Sequence, residues 1–96
     1  MSNVNVVATI VAKKGHEQDV ETQLLGLVAP SRQDPGCLSY NLHQSLDDPA
    51  VFVFYETWES AALLEEHGKS KHLLAWRDKA PHLTASFDVK LLKKIA

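Results

Sequence analysis

The sequence predicts an α+β domain, an antiparallel sheet with helices on one face. Three observations carry this. Four segments alternate apolar and polar residues with a period of two. The segments between the first pair and the last pair of them carry apolar residues at helical spacing. The middle two alternating segments are joined by a short Asp-Pro connection, as in an antiparallel hairpin.

Asn3 to Ala12 is rich in β-branched residues. Val4, Val6, Ala8 and Ile10 share one face, and Asn5, Val7, Thr9 and Val11 share the other. Both faces carry apolar groups, which predicts a central strand covered on both sides. Lys13-Lys14-Gly15 closes it. In His16 to Val28 the period changes, with Val20, Leu24, Leu27 and Val28 on one helical face. Glu17, Asp19 and Glu21 sit near the start, where the helix dipole favours acids. Pro30 has no N–H to donate, so a kink or restart is expected there, with Ser31 to Asp34 as a last short turn. Pro35-Gly36 signals a turn.

Cys37 to Leu46 reads as the second strand, with Leu38, Tyr40, Leu42 and Leu46 on its apolar face. Asp47-Asp48-Pro49-Ala50 is turn chemistry. Val51 to Trp58 is the strongest strand signal in the chain. Ser60 suits a helix N-cap, Gly68 a C-cap, and Ser70 the cap of a second helix carrying Leu73, Leu74 and Trp76. Pro81 is expected to stop that helix. Thr84 to Ile95 resumes alternation, with Phe87, Val89 and Leu91 set against Asp88, Lys90 and Leu92. The order strand, helix, strand, strand, helix pair, strand is the ferredoxin-like βαββαβ arrangement.

At 96 residues the chain is read as one domain, residues 1–96. Its net charge is −2, and Lys90, Lys93 and Lys94 form its densest basic stretch. No basic patch suggests nucleic acid. One cysteine, Cys37, rules out an internal disulfide and a multi-cysteine metal site, and fits a reducing, cytoplasmic setting. No leader-like segment or membrane-length apolar run is visible.

No phosphate loop, nucleophile elbow, metalloprotease helix or dinucleotide fingerprint is present. The chemistry-bearing stretch is Phe52 to Trp76. Phe52, Phe54, Glu56 and Trp58 lie on one strand face. A carboxylate among aromatics has a raised pKa if buried, which suits a general base or hydrogen-bond donor. The alternative is a solvated group at the sheet edge. His67 and His72 flank the junction of the two short helices and suit proton transfer. A metal site with Glu56 as third ligand is disfavoured, because a spacing of five across Gly68 leaves the histidines on different helical faces. The alternatives are a helix C-terminal histidine and a first-turn surface histidine. Trp58 and Trp76 suit the walls of an aromatic pocket, or simply the core. Tyr40 and Tyr55 offer phenolic hydrogen bonds, or packing. Cys37 has no neighbouring base and reads as a strand residue.

Pro35-Gly36-Cys37 with Tyr40, then Phe54-Tyr55-Glu56-Thr57-Trp58-Glu59-Ser60, Leu64 to His67, and Ser70-Lys71-His72 resemble the antibiotic biosynthesis monooxygenase (ABM) domain family. The likeness is greatest to its small quinol-monooxygenase-like members. It implies a dimeric α+β barrel in which two sheets pack face to face, with a pocket in each subunit between sheet and helices. It also implies oxidation of a small quinol or phenol by molecular oxygen without metal, flavin or haem. Glu56, His67 and His72 would handle protons, and Phe54, Trp58, Trp76 and Tyr40 would bind substrate.

The sequence departs from other branches of the family. Phe54 stands where polyketide-oxidising members carry asparagine, and Leu64 where they carry tyrosine. Arg77 matches their later arginine only across a gap. Ala8 stands where haem-degrading relatives carry asparagine. Two alternative functions are an isomerase of a small sugar-like metabolite and a non-enzymatic, small-molecule-binding dimer module.

A homodimer is expected from the strand faces as well. Helices cover one face of the sheet, with Phe52, Phe54, Glu56 and Trp58 beneath them. Val51, Val53, Tyr55 and Thr57 then turn to the other face, where a partner sheet would cover them.

Overall fold

The computed structural model describes residues 3–96. The elements are β1 (Val4–Ala12), α1 (Glu17–Arg32), β2 (Cys37–Gln44), β3 (Val51–Trp58), α2 (Ala61–Gly68), α3 (Lys71–Leu83) and β4 (Thr84–Leu92). The strands form one sheet in the order β2-β3-β1-β4, and every neighbouring pair is antiparallel. This is the βαββαβ order expected, with the second helix split in two.

The core lies between one sheet face and the helices. Val6, Ala8, Ile10 and Ala12 of β1 and Phe52, Phe54 and Trp58 of β3 are buried there against Val20, Leu24 and Leu27 of α1 and Trp76 of α3. The opposite face is not covered by the chain's own helices. On it Val7, Val11, Val51 and Val53 are half-buried, and Tyr55 is 45% exposed.

Pro81 departs from the expectation that it stops its helix, and Pro30, where a kink or restart was expected, is carried within one continuous helix. Pro30 lies inside α1, which runs on to Arg32, and Pro81 lies inside α3, which runs on to Leu83. Each proline removes only one hydrogen bond, and each falls in the last turn, where little helix remains to disrupt. Other groups close the ends. Gln33 N–H and Asp34 N–H donate to Pro30 O and Ser31 O, and Thr84 Oγ1 donates to Ala80 O at 2.7 Å. Ser60 caps α2 as expected, its Oγ accepting from Leu63 N at 3.2 Å. Ser70 does not cap α3 through its side chain; its Oγ lies 3.2 Å from His72 Nε2 instead.

The second strand is shorter than Cys37–Leu46, and its apolar face differs. The register with β3 shifts between Cys37 and Ser39, so Cys37 pairs with Trp58 while Tyr40 pairs with Glu56. This bulge puts Cys37, Tyr40 and Leu42 on the core side and turns Leu38 out, 53% exposed. Leu46 falls in the β2–β3 loop and is fully exposed. There Ser45 Oγ accepts from Asp47 N and Asp48 N, and Asp48 Oδ1 accepts from Ala50 N, which fixes the turn.

β4 ends at Leu92 rather than Ile95. Phe87, Val89 and Leu91 pair with Ile10, Ala8 and Val6, which places them on the helix side of the sheet. They extend past the helices and remain 62%, 43% and 60% exposed. Among the described residues no helix is long and apolar enough to cross a membrane.

Candidate active site

A cavity of about 620 Å³ lies between the helix side of the sheet and the α2–α3 pair. That is within the usual range for a small-molecule site. Val6, Ala8, Ile10 and Phe54 form its floor, and Leu64, Leu73, Trp76 and Ala80 its helical wall. Phe87, Val89 and Leu91 of β4 extend the floor along the open side. Tyr40, Glu56 and His67 supply polar groups, and Lys69 and Arg77 also line it.

Glu56 is the carboxylate buried beside this cavity. The period of two along β3 places it between Phe54 and Trp58 on the core face, where it is 5% exposed. Burial pushes its carboxyl from 4.5 up to about 6, and the hydrogen bond from Trp58 draws it partly back. That bond runs from Trp58 Nε1 to Glu56 Oε1 at 2.9 Å. The group therefore exchanges its proton close to neutral pH.

Trp58 is not a wall of the cavity, which corrects the expectation. Its indole is fully buried, and His67 stacks on it at a ring distance of 4.5 Å. Tyr40 meets its edge at 6.5 Å. Trp58 thus supports Glu56 and His67 from behind. Tyr40 reaches the cavity, and burial raises its phenol well above the ordinary value.

His67 and His72 are brought together by a residue the sequence reading did not select. Asp34 Oδ2 lies 2.7 Å from His67 Nδ1 and 3.0 Å from His72 Nε2. The break between α2 and α3 makes this possible, because the chain turns a corner and the two rings converge from different helix ends. Asp34 reaches them through the Asp34-Pro35-Gly36 turn. Gly36 has φ +85, and a Cβ there would lie 2.5 Å from Leu63 Cδ1, so only glycine lets α2 pack this close. Placed at the end of the last short turn after Pro30, Asp34 carried no such signal, since its partners lie 33 and 38 residues away.

A carboxylate facing Nδ1 holds that nitrogen as the donor and leaves Nε2 bare. Burial lowers the His67 pKa despite the Asp34 bond, with smaller contributions from His72 and Arg77. The ring is thus a neutral base that lines the cavity. His72 does not share the cavity. It lines a smaller cleft of about 190 Å³ with Thr22, Gln23, Ala75 and Trp76. The expected cluster of three therefore divides: Glu56 and His67 face the cavity, and His72 stands behind on Asp34. Cys37 is half-buried with its thiol pKa raised by burial, which leaves it a poor nucleophile.

Asp34 Oδ2, His67 Nδ1 and His72 Nε2 lie within 4.8 Å of one another and are the donors suited to a metal ion. Glu56, the third ligand weighed from sequence, is engaged with Trp58 instead.

Comparison with known proteins agrees with this architecture. A Pseudomonas aeruginosa protein, PA3566, has a crystal structure matching all of this chain and 97% of its own, with a TM-score of 0.97 and 35% identity. The Mycobacterium tuberculosis protein Rv0793, provisionally named a monooxygenase, is 32% identical over 76 residues, covering 79% of this chain and 74% of its own. The Synechocystis protein sll1783 is 27% identical over 89 residues and 92% of this chain, which spans only 60% of that relative's length. The sequence profile of the family described as "Antibiotic biosynthesis monooxygenase" matches residues 3–79. The chain belongs to the antibiotic biosynthesis monooxygenase family.

Proposed function

We propose that this protein is a monooxygenase that oxidises a small quinol or phenol with molecular oxygen, without a cofactor, as a homodimer. One observation carries the reading: two proton-handling groups, Glu56 and His67, face a largely apolar cavity of about 620 Å³. Phe54 on the floor and Leu64 and Trp76 on the wall offer apolar surfaces of the kind an aromatic ring packs against.

The chemistry follows from the substrate. Triplet oxygen reacts slowly with closed-shell molecules, but a phenolate readily gives it one electron. Glu56 or His67 takes the phenol proton. The phenolate passes an electron to oxygen, and the radical pair joins to form a ring C–O–O bond. The stored proton returns to the distal oxygen. Loss of the ring C–H proton with cleavage of the O–O bond then leaves a quinone and one water. The phenol thus loses its O–H and one C–H hydrogen, one oxygen atom enters the ring, and the other leaves as water. The protein supplies proton transfer and orientation in a site of low polarity.

Oxygen uptake by metal-stripped protein with a panel of quinols and phenols tests this. Turnover above autoxidation that falls in Glu56→Gln supports it. A rate equal to autoxidation across the panel removes it.

A second reading, isomerisation of a small anionic sugar-like metabolite, draws on Lys69 and Arg77 lining the same cavity. Turnover in the absence of oxygen distinguishes it.

A further inference from the structure

Asp34 is the hub of the one cluster, among the described residues, in which three ligand-type side chains converge. The turn after α1, the last turn of α2 and the first turn of α3 each contribute one group. Asp34, His67 and His72 are 17%, 6% and 20% exposed. No lysine or arginine among the described residues pairs with Asp34; its ion-pair partners are the two rings. Ser70 Oγ stands 3.2 Å from His72 Nε2 and adds a neutral oxygen at the rim.

Two imidazoles and one carboxylate form the donor set that first-row divalent metals take, with a position left for water. Metal–ligand bonds of about 2.0–2.2 Å put the donors of a tetrahedral centre about 3.3 Å apart. The Asp34 oxygen now lies 2.7 and 3.0 Å from the two nitrogens. The three donors lie within 4.8 Å of one another, so holding an ion requires the Asp34 oxygen to draw back by a few tenths of an ångström and the two ring nitrogens to close to the same spacing.

We infer that Asp34, His67 and His72 bind a divalent transition metal of the zinc class, with water as fourth ligand, and that binding switches the hydrogen-bond role of His67 in the cavity. In the metal-free form Nδ1–H donates to Asp34 and Nε2 is bare. Metal on Nδ1 requires the ring proton to sit on Nε2. Metal on His72 Nε2 likewise places that ring's N–H on Nδ1. The His67 ring exchanges tautomer. A base at the cavity thereby becomes a donor. The effect on turnover rests on the function proposed above; the site itself does not.

Calorimetric titration of Zn²⁺ into metal-stripped protein tests the site without substrate. One equivalent is expected, bound at least about tenfold more weakly by His72→Gln and Asp34→Asn. Both variants keep side-chain size and are checked for folding by circular dichroism. Co²⁺ is expected to show the strong visible absorption of a tetrahedral centre. Absence of saturable uptake at micromolar Zn²⁺, or uptake unchanged in His72→Gln, overturns the site. The switch is read from the ¹⁵N shifts of His67, which exchange between Nδ1-protonated and Nε2-protonated patterns on Zn²⁺ addition. Zinc binding with unchanged His67 shifts overturns the switch.

Discussion

Trp58 Nε1 donates to Glu56 Oε1 at 2.9 Å, so a fully buried indole holds the carboxylate that faces the cavity. The two residues lie two apart on β3, on the same face. The indole both satisfies the carboxylate and supports the His67 ring at 4.5 Å. One residue thereby positions both groups proposed above to handle protons.

The first prediction concerns Glu56 and pH. Below pH 4.5 the carboxyl is protonated in both folded and unfolded chains. Between 4.5 and about 6 the unfolded chain ionises first, so stability falls as pH rises through this window. Above it the folded chain carries a buried charge, at a cost of at most about 2 kcal/mol. Glu56→Gln keeps the oxygen that accepts from Trp58 and removes the charge. It should be more stable than wild type by up to about 2 kcal/mol near pH 7.5, with a smaller advantage near pH 4. Urea unfolding at the two pH values checks this, and equal differences at both would contradict it.

Trp58→Phe removes the donor but keeps an aromatic ring. The bond lowers the Glu56 pKa, so its loss should raise it further above about 6. Leaving the carboxylate without this donor should also cost about 1–3 kcal/mol. A ¹³C titration of the Glu56 carboxyl reads the first effect and thermal unfolding the second. An unchanged titration would show that the bond does not tune Glu56.

The two glycines with positive φ should respond differently to alanine. Gly15 has φ +91 and open space around it, so Gly15→Ala should cost only backbone strain of about 1–2 kcal/mol. Gly36 has φ +85 and would place its Cβ 2.5 Å from Leu63 Cδ1. Gly36→Ala should cost about 3 kcal/mol or more and displace α2 from the Asp34 turn. Thermal unfolding ranks the two, and similar losses would remove the steric argument.

Val53→Asp tests the proposed dimer. Val53 is half-buried on the sheet face the helices leave uncovered, beside Thr9 of β1 and His43 of β2. A carboxylate there should dissociate a face-to-face dimer and lower stability, because a chain of this size has a small core. Sedimentation at micromolar concentration should show a wild-type dimer. A stable wild-type monomer would exclude this interface.

Much of the fold was legible because strand and helix periods are local properties. Val6, Ala8 and Ile10 alternate with half-buried neighbours as the period of two requires, and the same rule put Glu56 on the core face of β3. What local pattern did not reveal was decided by neighbours in space. The bulge that turns Leu38 outward depends on the register with β3, and the helices pass Pro30 and Pro81 because each proline falls where only one last turn remains. Trp58 could be read as a wall or as core, and only packing against His67 and Tyr40 put it behind the cavity. Asp34 is the clearest case. In the sequence it ends the last short turn after Pro30, yet the corner between α2 and α3 brings His67 and His72 onto one of its oxygens. Sequence alone determined which residues could carry charge or protons and which face each strand buries, because those follow from side-chain chemistry and backbone period. Only the tertiary structure decided which of those groups meet, because hydrogen bonds between residues more than thirty positions apart leave no periodic trace in the chain.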